Sequence, residues 1–408
     1  MVSDRKDCPR MSTRPQVCIL SSGRKANDER IYYKIARSLR KRFERVVIAA
    51  PGEPDHRFDD GIEFRKVERR RSRFNRWGTW RSLYHVATLC DAEVFQCEEL
   101  DAWLIGWLVA RRTGARLVFD AHEFNPAEIT IGSRGLVRWV LWRVVVALDR
   151  FLVKRTDRVL VANDIVRAYY LILHRFARVA VLHNSPVLGL FRGADPPPRK
   201  EYLLCHEGSL GFSRGLKSLV RVVERLRSAG VNAKLLIVGD VYGKERAWLE
   251  HELSRSDLIE CVDRTGWLQY PKVGEAIERC EIGLITMEPT PSNMLCGLPN
   301  KLFNYMRYGL PVVAPDFPEI ARVVSSEQCG LIYQCGDSNG LFEAVGRLAH
   351  DESLRRRLGE AGRAAIQRRY AWELMEPVLF EAYCGLGSEG PDGRAGGAAR
   401  ESASGVRP

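Results

Sequence analysis

Short apolar runs bounded by Gly, Pro, Asn or Asp alternate along the chain with longer stretches whose apolar positions recur every three or four residues, a β/α alternation. Gln16–Leu20 reads as a buried strand. It leads through Ser21-Ser-Gly-Arg-Lys-Ala-Asn-Asp-Glu-Arg30 into an amphipathic helix ending near Arg42, and Arg45–Ala50 is the next strand. Glu93–Gln96, helical Leu100–Arg112 and Arg116–Phe119 continue the pattern. A long helix over Arg134–Lys154, the strand Arg158–Val161, a helix from near Asp164 and the strand Val179–Leu182 complete it.

The alternation stops at Leu188–Lys200, where Asp195-Pro-Pro-Pro-Arg-Lys predicts a stiff exposed linker. It resumes with the strand Glu201–Cys205 and the helix Leu216–Ser228. Strands are then expected at Ala233–Val238, Glu281–Thr286, the run ending at Ala314 and Gly330–Tyr333, and helices at Asn339–His350, Glu352–Tyr370 and Trp372–Tyr383. From Gly385 the periodicity is lost in Gly, Ala, Ser and Arg. Two α/β domains follow, 15–187 and 201–370, with a flexible extension at 1–14, a linker at 188–200, a last helix at 371–384 and a disordered tail at 385–408.

Composition narrows the class. A hydrophobic fraction of 45% with 28% charged residues in 408 positions suits a soluble enzyme of two ordinary domains. The most apolar windows, Ala102–Ala110 and Trp139–Leu148, are too short to span a bilayer, and Met1–Arg14 lacks the apolar core of a secretory signal, so a cytoplasmic setting is expected. Eleven cysteines with no CxxC pair argue against zinc and against a disulfide framework. The net charge of +12 implies an anionic partner: phosphate-bearing substrate, acidic lipid or nucleic acid.

Three stretches carry candidate chemistry. Gly297-Leu-Pro-Asn-Lys-Leu-Phe-Asn304 begins a short helix, about Leu298–Tyr308, after a Gly/Pro turn; its free N–H groups and dipole would seat an anion, although an ordinary α/β turn has the same punctuation. His206-Glu-Gly-Ser-Leu-Gly-Phe-Ser-Arg-Gly215 is a glycine-bearing loop with Arg214 at a helix start. Asp120-Ala-His-Glu123 follows a strand end, where α/β folds place chemistry, or else forms a capping pair. Separately, Arg65, Lys66, Arg69, Arg70, Arg71, Arg73, Arg76 and Arg81 interleave with Trp77 and Trp80, which suits an anionic membrane interface or a solvated arginine-rich loop; no nucleic-acid fold signature accompanies them. The helix Arg134–Lys154 reads first as a core helix with snorkelling arginines and alternatively as a face on a bilayer.

Pro299-Asn-Lys-Leu-Phe-Asn-Tyr-Met followed by Gly309-Leu-Pro-Val-Val-Ala resembles the donor-binding motif of the retaining family 4 glycosyltransferases. The resemblance covers about Gln16 to Tyr383. It implies an α/β chain of the GT-B fold, two Rossmann-like domains facing an interdomain cleft, whose last helix returns to the first domain. It further implies transfer of a sugar from a nucleoside diphosphate sugar to an acceptor hydroxyl with retention, without metal or other cofactor. The glycan or lipid-linked acceptor would sit on the first domain, at the membrane's inner face if the basic tryptophan stretch binds lipid.

Carried over by residue, His122, with Asp120 and Glu123, would contact the transferred sugar. Gly23 belongs to the family-like first loop, in which Asp28 and Arg30 match a D-x-R pattern; a capped helix start with an i,i+2 charge pair is the other reading. Gly208, Ser209 and Arg214, Gly297 and Leu298, and Lys301 would surround the diphosphate, and the turn at Gly266 would read the base. Two positions depart from the family: Asn304 stands where relatives carry a carboxylate for the ribose, and Cys296 where they often carry another, with Glu288 as a candidate substitute. These departures leave a non-catalytic nucleotide-sugar-binding or scaffolding homologue as an alternative. A nucleotide-sugar epimerase of the same fold is disfavoured by the D-x-H-E segment.

Overall fold

The computed structural model describes residues 17–52, 60–69, 76–122, 124–190, 199–255, 258–290 and 298–386. The segments Met1–Arg14 and Asp195–Pro198, and the candidates Glu123, Cys296 and Gly297, lie outside the described residues.

Two all-parallel sheets form the frame. The first has seven strands in the order β3-β2-β1-β4-β5-β6-β7: β1 Val17–Leu20, β2 Val46–Pro51, β3 Ile62–Val67, β4 Val94–Cys97, β5 Arg116–Ala121, β6 Arg158–Val161 and β7 Val179–Val181. The second has six in the order β10-β9-β8-β11-β12-β13: β8 Tyr202–Glu207, β9 Leu235–Val238, β10 Val262–Arg264, β11 Cys280–Leu284, β12 Val312–Pro315 and β13 Gly330–Tyr333. The central strands β1, β2 and β9 are buried along their whole length, which explains their unbroken apolar sequence, and β4 is buried likewise but carries the polar Gln96. Strand order reverses between β1 and β4 and between β8 and β11. At such switch points the loops after neighbouring strands diverge and leave a crevice at the carboxyl ends.

The observed elements correct several expectations. β3 lies within the sequence read as a basic loop, with Arg65 and Lys66 exposed on this sheet edge; charges of this kind keep an edge from pairing with other chains. His206 and Glu207, read as loop, extend β8. The helix Gly135–Val153 buries only Val145, Asp149, Leu152 and Val153. Its first turns leave Leu136 75% and Trp139 57% exposed, so this part is a surface rather than a core element.

The helix Trp372–Tyr383 packs on the first domain. Trp372 and Tyr383 join a cluster with Ile19, Ile35, Val46 and Leu182, and Trp372 Nε1 donates to Ser38 Oγ at 2.8 Å. Leu386, assigned from sequence to the tail, is buried in the same cluster. Near the linker, Arg307 donates to the carbonyls of Val187 and Leu188 at 2.7 and 3.1 Å.

One glycine governs the approach of the loop after β8 to the segment that follows β11. Gly215 has φ +81°, and a Cβ there would fall 1.5 Å from the Thr286 carbonyl oxygen. Thr286 in turn donates to the Arg214 carbonyl at 3.1 Å, so this contact sets where Arg214 starts. Gly215→Ala is expected to destabilise the second domain by more than about 3 kcal/mol, read by urea denaturation; a loss below about 1 kcal/mol would show that the loop can move without penalty.

Candidate active site in the interdomain cleft

The carboxyl ends of both sheets open onto one cleft of about 390 Å3. Arg24, Asp28, Glu29, Arg30, His122 and Asn184 line it from the first domain, and Glu207, Gly208, Arg214, Leu298, Asn300 and Lys301 from the second.

On the first side, Asp28 caps the helix that starts at Glu29, accepting from the amides of Arg30 at 2.9 Å and Ile31 at 3.3 Å. The charge pairing is not between Asp28 and Arg30. Asp28 pairs with Arg24 at 3.2 Å, and Arg30 makes a buried two-pronged contact with Asp120 at 2.6 and 2.8 Å. Arg30 also donates to the Leu182 carbonyl at 3.1 Å. His122 is the next residue after β5, and its side chain is 7% exposed. Burial holds its imidazole well below the usual range, Arg24 and Arg30 push it further down, and the nearby Asp120 carbonyl opposes them, so the ring is neutral.

The loop with Gly23 is organised by an internal anion. Glu99 accepts from Ser21 Oγ at 2.8 Å, the Ser22 amide at 2.9 Å and the Arg24 amide at 3.2 Å. Gly23 packs toward this carboxylate and does not line the cleft, so these amides are already engaged.

On the second side, the helix Asn300–Arg307 begins without a side-chain cap, and Leu298, Pro299 and Asn300 line the cleft beside it. Lys301 Nζ lies 3.1 Å from His206 Nε2. Burial lowers the Lys301 ammonium to about 7, and Arg214 adds to this. Burial and the Lys301 and Arg214 charges keep His206 neutral. Asn304 does not line the cleft. Its Nδ2 donates to Glu207 Oε1 at 2.8 Å, and Glu207, which does line the cleft, keeps a buried Oε2 without a partner. Burial and Glu29 raise Glu207 to about 7.

Of the other expected donor residues, Gly208, Arg214 and Leu298 line the cleft with Lys301, while Ser209 and Gly266 do not. Glu288 faces away from it, accepting from Ser218 Oγ at 3.1 Å and lining a small pocket with Tyr333 and Ser338. It is therefore not among the residues that line the cleft. The sequence reading passes over Glu29, Asn184, Glu207 and Asn300. Asn300 Nδ2 donates to Glu29 Oε2 at 2.8 Å and its Oδ1 accepts from Asn184, while Lys34 donates to Glu29 at 2.6 Å and to Asn184 Oδ1 at 2.9 Å. This network ties the two domains together beside the cleft. Only Glu207 had a local signal, a carboxylate immediately before a loop glycine.

Glu98, Asp120 and His122 bring three ligand-type atoms within 4.8 Å of one another. Both Asp120 oxygens are engaged by Arg30, so the group suits a hydrogen-bond network better than a cation.

Comparison with known proteins places this geometry. Residues 201–351 match the family model described as glycosyl transferases group 1, and residues 29–185 match the glycosyl transferase 4-like domain. The chain belongs to the group 1, family 4 glycosyltransferases. Among relatives of this family, the lipopolysaccharide core biosynthesis glycosyltransferase LpsD of Rhizobium meliloti is 27% identical over 197 residues, 47% of this chain and 51% of that protein. The match thus spans about half the length of that relative. Among solved structures, sucrose-phosphate synthase from Thermosynechococcus elongatus has a TM-score of 0.72 at 16% identity, covering 91% of this chain and 98% of its own. Anabaena HepE in complex with UDP-glucose has a TM-score of 0.70 at 14% identity, covering 90% and 99%. At these identities the two structures show the shared GT-B fold alone.

Arg30→Met leaves the Asp120 carboxylate buried without its partner and is expected to cost about 3–5 kcal/mol, with much of this recovered in the double variant Arg30→Met/Asp120→Leu. Chemical denaturation of the three proteins checks this; an unrecovered double variant would mean that the pair is not the source of the loss.

Proposed function

We propose that this glycosyltransferase moves a sugar from a nucleoside diphosphate sugar to an acceptor hydroxyl, with retention at the anomeric carbon and without a metal ion. The observation that carries this reading is the single cleft in which His122 faces Arg214, Lys301 and the start of the helix Asn300–Arg307. The barrier in such a transfer is departure of the diphosphate. Arg214, Lys301 and the free amides at the helix start would stabilise the charge that develops on it. A diphosphate beside Lys301 restores the ammonium that burial has weakened. Leu298 and Gly208 let main chain approach the phosphates, and His122 meets the transferred sugar. Asp120 acts behind His122 through Arg30, and Gly297, Cys296 and Glu123 are assigned no geometry.

The carboxylate that relatives carry at the position of Asn304 is supplied here by Glu207, held in place by Asn304. This weighs against a non-catalytic homologue. The role of LpsD in lipopolysaccharide core biosynthesis, as its name gives it, supports a surface polysaccharide or its lipid-linked precursor as the acceptor class. No described helix is long and apolar enough to cross a membrane. We place the enzyme on the inner membrane face through the exposed Leu136, Val137, Trp139 and Val140 and the neighbouring Arg134 and Arg138. Leu136→Asp should then abolish co-sedimentation with anionic vesicles; retained binding would remove this helix from the interface.

A metal-free thermal-shift screen with UDP, GDP, ADP, dTDP and their sugars tests the donor site. A cognate ligand at a hundred times its Kd stabilises the fold by about 2.7 kcal/mol. Lys301 is charged below pH 7 and loses its proton above it, while Glu207 gains negative charge over the same range, so both changes weaken diphosphate binding as pH rises. Affinity should fall by roughly tenfold between pH 6 and 8.5. His122→Ala should lower kcat by about 100-fold or more while leaving the nucleotide shift intact. No shift with any nucleotide would overturn the donor reading, and unchanged turnover would remove His122 from the site.

A further inference from the structure

Behind His122, away from the cleft, runs a line of buried polar side chains that the transfer reaction does not use. Tyr383, on the helix Trp372–Tyr383, donates to Gln96 Oε1, and Gln96 Nε2 donates to Glu98 Oε1 at 2.6 Å. Glu98 Oε2 is buried without a partner, as is His122 Nδ1, and the two atoms face each other at 3.7 Å. Asp120 Oδ2 lies 4.0 Å from the same nitrogen, but it already accepts from Arg30 Nε. Glu98 therefore has the one uncommitted carboxyl oxygen beside the ring among the described residues. Orphaned buried polar atoms are rare, and two that face each other are a bond waiting for a small ring movement, since contacts at catalytic groups tighten when substrate binds.

We propose that Glu98 is the positioning residue for His122: its carboxyl donates from Oε2 to His122 Nδ1, so that the ring presents Nε2–H to the cleft. This rests on the transfer reading above for its effect on rate, though not for its effect on the ring. The hydrogen bonds then run in one direction, from the Tyr383 hydroxyl through the Gln96 amide and the Glu98 carboxyl to the imidazole, an arrangement in which each bond polarises the next. A neutral Glu98 is what the site favours. Burial and the adjacent Asp120 carboxylate both raise its pKa well above the usual carboxylate range, and an ionised carboxylate with an unpaired buried oxygen would be expensive. The charged groups around the ring are Arg24, Arg30 and Asp120. Through Tyr383, the helix Trp372–Tyr383 becomes a support for the sugar-facing histidine.

The test is a measurement of the ring tautomer in the full chain labelled with 15N-histidine, His122→Ala identifying the signal among eight histidines. The wild type should show Nε2–H at His122. Glu98→Gln should keep it, because the amide can accept from Gln96 and donate to Nδ1. Glu98→Ala and Tyr383→Phe should lower its fraction, and Glu98→Ala should lower kcat on the order of tenfold with little change in the donor KM, while Glu98→Gln stays within about threefold. A wild-type Nδ1–H ring, shared with the Asp120 carbonyl, would overturn the proposal, as would a tautomer unchanged in both Glu98→Ala and Tyr383→Phe. Should Glu98→Ala not fold, Tyr383→Phe and Glu98→Gln decide the matter alone. A wild type that transfers no sugar would remove the transfer reading, while the tautomer still decides whether Glu98 holds the ring.

Discussion

The buried contact between Arg30 and Asp120 is the constraint on which the first half of the cleft depends. It joins the helix after β1 to the end of β5, and the same guanidinium reaches the carbonyl of Leu182 just past β7. Three connections that leave the sheet at its carboxyl edge are thereby pinned to one planar group, whose fork geometry a lysine could not reproduce. His122 lies two residues beyond Asp120, so its position follows from a salt bridge it does not join. The arrangement stabilises geometry more than it stabilises the fold, because the desolvation of both ions offsets most of their attraction.

The second half is arranged differently, around groups left incompletely satisfied. Lys301 leans on a neutral histidine, and Glu207 holds one oxygen to Asn304 and leaves the other free. A buried amine and carboxyl that titrate near neutrality form a site whose charge depends on what occupies it. The asparagine at position 304 stands out in sequence as a departure and the glutamate at 207 does not, yet the two are one hydrogen-bonded pair, between the helix and the end of the adjacent strand.

The β/α alternation was legible because parallel strands covered on both faces must be continuous apolar runs, and β1 and β6 fall where those runs predict. β3 was not legible because an edge strand carries Glu63, Arg65 and Lys66 like a loop, and the helix Gly243–Arg255 buries only Leu249 and Leu253, too few for a periodic signal. Periodicity also cannot say whether anything covers an apolar face, which is why the helix Gly135–Val153 read as core. Within the site, local motifs pointed to His122, Arg214 and Lys301. They could not reveal the contact of Glu29 with Asn300, 271 positions apart, which only the meeting of two domains creates.

The packing of the helix Trp372–Tyr383 on the first sheet bears on how the protein is made. The first domain's hydrophobic cluster takes in Trp372, Leu379, Tyr383 and Leu386, so the segment that finishes it is translated after the whole second domain. Nascent domains ordinarily fold in order as they leave the ribosome. Here the earlier one must wait, with part of its apolar surface uncovered, until Trp372–Leu386 has been made, and a chain interrupted just before Trp372 would carry an intact second domain beside an unfinished first.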